Sequence, residues 1–149
     1  MKLLFRPWIN TSVVILILRI ILGIVFFAHG AQKVLGAFGG YGLEATKNMF
    51  VEKIHLLPFF VYLDAFTELL GGILVLLGLL TRISSAGIAI VMIVAILRVH
   101  APNGFFNPMG FEFPLTLLVV AVVIFLYGSG KYGIDYLWER KTRKSGVEF

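Results

Sequence analysis

Two carboxylates, Asp64 and Glu68, stand four residues apart inside the apolar stretch 57–82, LPFFVYLDAFTELLGGILVLLGLLTR. On a helix that spacing puts them on one face, a turn apart. The stretch is long enough to cross a membrane, where an ionisable group costs roughly 2.5–3.5 kcal/mol on insertion scales. Such groups normally face a bundle interior and find partners there. Proton handling or ligand binding is the chemistry open to them, and the plain alternative is an ion-pair network that fixes helix register. The groups able to answer them are His29, Gln32 and Lys33 in the first apolar segment, Arg98 and His100 at the end of the third, and Glu112 at the start of the fourth.

The elements that must position these side chains read as membrane helices. The chain has 149 residues and is 59% hydrophobic, above the roughly 45–50% of soluble domains, with the apolar residues bunched. The pattern predicts spans at about 12–36, 57–81, 83–100 and 113–128 and an interfacial tail at 131–144, all in one domain covering 1–149. The expected fold is an all-α integral membrane bundle of four transmembrane helices, with a polar core toward the outer leaflet and a C-terminal interfacial helix. Residues 1–10 read as a short basic leader with Lys2, Arg6 and Trp8, and Thr11 or Ser12 as the cap of the first helix. A cleaved signal peptide with Ala28-His29-Gly30 as its site is the rival, opposed by the length of the run and by Arg19 within it. Gly39-Gly40 and Gly42 mark a turn before a short amphipathic helix near Leu43–Ile54. Pro102 and Pro108 forbid a regular helix across APNGFFNPMGFEFP, which reads as an interfacial or re-entrant loop, and Pro114 falls in the first turn of the fourth span. In the tail, Tyr132, Tyr136 and Trp138 face lipid.

An even number of spans places both termini on one side. That side carries Lys2, Arg6, Arg82, Lys131, Arg140, Lys141, Arg143 and Lys144, against Lys33, Lys47, Lys53 and Arg98 on the other. The excess predicts a multi-pass protein of the bacterial inner membrane with cytoplasmic termini. The net charge of +5 therefore points to lipid headgroups and not to nucleic acid. With no cysteine, thiolate catalysis, disulfide exchange and cysteine-ligated iron–sulfur clusters are excluded.

Depth follows from the helical rise of about 1.5 Å per residue, which sets Asp64 roughly 10 Å and Glu68 roughly 16 Å below the outer surface. His29, Lys33, Asp64, Arg98, His100 and Glu112 thus converge in the outer part of the bundle, with Glu68 beneath them. Arg19, His29, Gln32 and Lys33 fall within about 140° on the first helix and share its interior face. Gly23 and Gly30 on that side, and Gly71, Gly72 and Gly78 on the second span, allow close approach of a neighbouring helix or a flat ligand. Each feature also has a bland reading. His29 and His100 reach one level and could ligate haem or, with Glu112, a metal, but such pairs are more often hydrogen-bonding core residues. Arg82 reads as a topology determinant, and Phe105 and Phe106 as anchors of their loop or as walls of a quinone slot. No Ser-His-Asp arrangement, phosphate-binding loop or nucleotide fingerprint is present.

The motif run Gly23…Phe26-Phe27-Ala28-His29-Gly30…Lys33…Gly36, Glu68…Gly71-Gly72…Gly78-Leu79-Leu80-Thr81-Arg82, Val99-His100…Asn103-Gly104-Phe105-Phe106, Glu112-Phe113-Pro114-Leu115 and Gly128-Ser129-Gly130…Asp135 resembles the DoxX family over residues 14–135. The resemblance implies a four-span bundle whose polar core is built from His29, Lys33, Glu68, Arg82, His100 and Glu112. It also implies a link to membrane redox metabolism, since the family is named for a subunit of a thiosulfate:quinone oxidoreductase. Arg19 and Arg98 fall outside the family signature.

These readings combine into an inner-membrane subunit of redox metabolism, at most one subunit of a quinone-linked oxidoreductase complex. Glu68, His29, His100, Asp64 and Glu112 are its candidate proton-handling groups, and Lys33, Gln32, Arg98, Phe105 and Phe106 its candidate quinone pocket. No covalently bound cofactor and no metal are expected, and electrons would come from a partner. The bilayer and either a partner membrane protein or a second copy of the chain are the expected neighbours, through the glycine faces. A non-enzymatic assembly or anchor subunit and a small proton-coupled transporter remain as alternatives.

Overall fold

A computed structural model describes residues 10–106 and 108–144 of the chain. Lys2, Arg6 and Trp8 of the basic leader lie outside the described residues. The described chain is all-helical, in the order α1 (Thr11–Leu35), α2 (Leu43–Ile54), α3 (Pro58–Leu77), α4 (Thr81–Ala95), α5 (Glu112–Tyr127) and α6 (Ile134–Lys144). The stretch Thr81–Asn103 runs on from α4 as one rod, through a π-helical turn at Ile96–His100 and a 3-10 turn at Ala101–Asn103. The rod, α1 and α3 are each long and apolar enough to cross a membrane. At 16 residues α5 is shorter, about 24 Å against roughly 30 Å of hydrocarbon. Large apolar side chains such as Ile17, Ile24, Leu70, Ile83, Ile90 and Leu126 are exposed on the outside of these helices, the surface a membrane protein turns to lipid.

Local signals set the element ends. Asn10, not Thr11 or Ser12, caps α1: its Oδ1 accepts the Ser12 N–H at 2.9 Å. Pro58 opens α3, where its missing N–H is harmless, and Gly78 closes it at φ 67°. Two residues later Leu80 is itself left-handed, at φ 47°. That strained geometry is held from a distance by Asp135, whose carboxylate accepts the N–H groups of Leu80 and Thr81 at 2.8 and 2.9 Å and so caps α4. The amphipathic helix expected near Leu43–Ile54 is α2. It is tied to α3 by the Tyr62 hydroxyl, which donates to Glu44 at 3.2 Å. Hydrogen bonds from Lys47 and then Tyr62 hold the Glu44 carboxyl below its usual range.

The core forms where α1, α3, α4 and α5 meet, around Leu22, Phe26, Val75, Ile88, Leu117, Ala121 and Ile124. Contact between α1 and α3 is close enough to be backbone on backbone. A Cβ on Gly72 would strike the backbone of Phe26 and Phe27, and one on Gly30 would strike Leu69. The glycine faces are therefore filled from within the chain, and the expectation that they receive a partner helix is not met. Gly71 faces α4 and has ordinary room, with Ile88 Cγ1 at 3.4 Å.

Arg19 is fully buried in this frame, at 1% exposure. Its guanidinium donates to the carbonyls of Val75 at 2.9 Å, Leu76 at 2.8 Å and Ser129 at 2.7 Å. It thereby ties the last turn of α3 to the Ser129 carbonyl just beyond α5. We expect Gly30→Ala to destabilise the fold by about 1–3 kcal/mol, since it overpacks a backbone contact that cannot yield. Gly71→Ala should be nearly neutral. Thermal unfolding in detergent reads both, and equal losses at the two positions would refute the close α1–α3 seam.

Candidate functional site

At the end of the bundle that carries α2, a cavity of about 240 Å³ opens among α1, α2, α3, the α4 rod and the first turns of α5. Val25, Phe26, Met92, Phe113 and Leu117 give it apolar walls. Six of the polar residues predicted from sequence line it: His29, Lys33, Asp64, Glu68, Arg98 and His100. Helical spacing explains the grouping. His29 and Lys33 are one turn apart on α1, Asp64 and Glu68 one turn apart on α3, and the two helices run antiparallel across the glycine seam.

Lys33 is the hub. Its ammonium lies 2.6 Å from Asp64 Oδ2 and 2.8 Å from Glu68 Oε2, and 5.3 Å from the centre of the Phe50 ring of α2. Asp64 receives an aligned hydrogen bond, whereas Glu68 Oε2 is in charge contact without one. Glu68, 4% exposed, therefore keeps an acceptor position at the base of the cavity.

Both histidines are oriented by backbone. The Nδ1–H of His29 donates to the Val25 carbonyl and that of His100 to the Met109 carbonyl, each at 2.9 Å. A carbonyl can only accept, so Nδ1 carries the hydrogen and Nε2 is the nitrogen left for a ligand or a proton. The π-helical turn delivers Arg98 and His100 to the cavity by adding a residue to the final coil of the rod. Arg98 has no carboxylate within ion-pair distance among the described residues, unlike Lys33.

Other predicted residues lie elsewhere. Gln32 does not line the cavity and donates from its amide to the Phe38 carbonyl at 3.2 Å. Glu112, Phe105 and Phe106 also lie outside the lining. The two phenylalanines pack edge to face on each other, and Phe105 does the same with Phe111, which makes them part of the loop's own structure. His29, His100 and Glu112 do not gather as a metal-ligand set. Arg82, which the resemblance implied for the polar core, sits at the opposite end of the bundle and donates to the Leu126 carbonyl at 3.3 Å. Gly71 and Gly72 serve helix packing. Sequence reasoning missed Phe50 and Leu56, which close the cavity from the side of α2. The usable signal was the amphipathic α2 itself, which needs an apolar surface to lie on.

The profile of the DoxX family matches residues 14–101. A putative oxidoreductase, CatD, of Bacillus subtilis is 38% identical over 80% of this chain and 83% of its own length. An uncharacterised membrane protein of Mycobacterium tuberculosis is 29% identical over 89% of this chain and 86% of its own. An uncharacterised protein of Haemophilus influenzae is 29% identical over 95% and 94%. No solved structure matches the chain significantly.

Removing the hub should be costly, because it strands two carboxylates. We expect Lys33→Met to destabilise the protein by about 3 kcal/mol, near the lower end for breaking a buried pair since Lys33 retains some exposure. Adding Asp64→Asn and Glu68→Gln to Lys33→Met should restore much of the loss. Chemical denaturation in micelles measures both steps, and an additive triple variant would rule out the charge cluster as the cause.

Proposed function

The chain belongs to the DoxX family, and from that premise we propose that it is a redox-linked membrane subunit whose cavity takes the ring of a quinone or quinol. One observation carries the reading: an apolar-walled cavity is lined together by His29, His100, Arg98 and the buried Glu68, and Arg98 has no carboxylate within ion-pair distance among the described residues. The name of the Bacillus subtilis relative, a putative oxidoreductase, supports the redox link.

Size narrows the ligand. Drug-sized molecules occupy roughly 300–1,000 Å³, so about 240 Å³ fits a single substituted ring, with any tail leaving between helices into lipid. Reducing a quinone to a quinol takes up two electrons and two protons, one proton at each carbonyl oxygen. Arg98 is the better group to hold the oxygen on which charge develops, because Lys33 is already balanced by two carboxylates. His29 and His100 are set to pass protons through Nε2, with Glu68 as the buried reserve. The electrons arrive from a partner protein.

The reading places α5 as a fourth span and both chain ends on the cytoplasmic side of a bacterial inner membrane, following the lysine and arginine excess at that end. A second reading, a non-enzymatic anchor subunit, draws on the ion pairs of Lys33 with Asp64 and Glu68, which tie α1 to α3 as a purely architectural network would.

Gently extracted protein should carry a quinone by mass spectrometry. Glu68→Gln and His100→Ala should leave the bundle folded and cut quinone-dependent turnover of the complex by about 10²–10⁴. Normal turnover in both variants would sink the redox reading, and a ligand-free protein with a reproducible partner would favour the anchor.

A further inference from the structure

The opposite end of the bundle holds a second groove, of about 660 Å³, between the first turns of α1, α4 and α6 and the end of α5. Its two acidic residues are already occupied. Asp135 is consumed by the Leu80 and Thr81 N–H groups, and Glu139 pairs with Arg143 at 2.9 Å. Its two cations are not. The Arg82 guanidinium donates to the Leu126 carbonyl, and neither Arg82 nor Lys131 has a carboxylate within ion-pair distance among the described residues. Thr81 also lines the groove, and its buried hydroxyl has no partner. The groove is thus a place with positive charge and donors to spare.

Its surroundings say what kind of anion would come. On the bundle side the groove is bordered by the exposed apolar groups Leu80, Ile83 and Tyr127. On the other side is α6, which exposes Leu137 and Trp138 and carries Arg140 and Arg143 on the same short helix. Such a helix lies in a membrane interface. A soluble anion would use the cations and leave the apolar border unexplained. An amphiphile uses both.

We propose that this groove binds the phosphodiester headgroup of an anionic glycerophospholipid, with Arg82 and Lys131 on the phosphate and the acyl chains along Leu80, Ile83 and Tyr127. The site is separate from the quinone reading and does not depend on it. Because Asp135 both lines the groove and caps α4, the lipid would sit against the α3–α4 turn.

The test is native mass spectrometry of the full chain in micelles doped with equal phosphatidylglycerol and phosphatidylcholine. Wild type should retain phosphatidylglycerol preferentially, and Arg82→Gln and Lys131→Gln should each weaken that retention about fivefold. Both positions are exposed, so neither substitution threatens the fold, and Lys131→Gln suffices if Arg82→Gln expresses poorly. Arg140→Gln should have little effect. Unchanged preference in the double variant would overturn the proposal. An equal effect of Arg140→Gln would overturn it in favour of diffuse adsorption. Displacement by excess glycerol 3-phosphate would overturn it in favour of a soluble anion.

Discussion

The seam between α1 and α3 is the constraint on which the rest of the structure depends. Between helices in lipid no hydrophobic drive favours one contact over another, so association falls to close packing and polar bonds. This seam has both. Gly23, Gly30 and Gly72 let the two backbones meet, and a cation from α1 crosses to α3 at each end. Arg19 reaches the carbonyls of Val75 and Leu76, and Lys33 reaches Asp64 and Glu68. The two cations are fourteen residues apart, about 21 Å along the helix, so the register of the antiparallel pair is fixed at two distant points. A slip by one residue would break both contacts at once.

The two ends nonetheless differ in what they leave over. Arg19 donates from all three guanidinium nitrogens to neutral carbonyls and is buried at 1% exposure, away from any ligand. Lys33 brings one charge to two carboxylates, and around it stand Arg98 and two histidines with Nε2 unengaged. Buried polar groups are normally satisfied, so a cluster with surplus capacity beside a cavity is a better mark of function than the count of charges. Both Arg19 and Lys33 are cations on one long apolar helix, and only the second has this surplus beside it.

Much of this was legible in the sequence because it obeys periodicity. Apolar runs gave the long helices, glycine and proline gave their ends, and four-residue spacing paired Asp64 with Glu68 and His29 with Lys33. Depth arithmetic then brought those groups to the level of Arg98 and His100. What stayed hidden was bonding to backbone. Arg19 shares the interior face with Lys33, yet its partners are carbonyls, which no list of side chains displays. Asp135 caps α4 from 55 residues beyond Leu80, a contact of the folded chain alone. Glu112 failed as a lining residue because depth places a residue at a level but not at an azimuth. Gln32 failed because an arc of about 140° is wider than the cavity: it lies at the edge of that arc, about 100° from Lys33, and bonds to the Phe38 carbonyl.

The shortness of α5 accounts for the location of the cavity. With its first turn at Glu112, α5 stops short at the end where the α4 rod continues to Asn103. The missing length leaves room beside Met92 and Ala95, and Phe113, Pro114 and Leu117 from the start of α5 form its wall. A truncated helix at that level exposes irregular backbone, which lipid does not tolerate. The loop answers by bonding to itself: Phe111 N–H to the Gly104 carbonyl, Glu112 N–H to Phe105 and Gly110 N–H to Phe106, at 3.0–3.1 Å. Gly110 is needed there, since a Cβ would strike the carbonyls of Phe105 and Phe106. The same loop supplies the Met109 carbonyl that orients His100. Shortening one helix therefore produces the cavity, and the loop that compensates for it aims one of the cavity's two histidines.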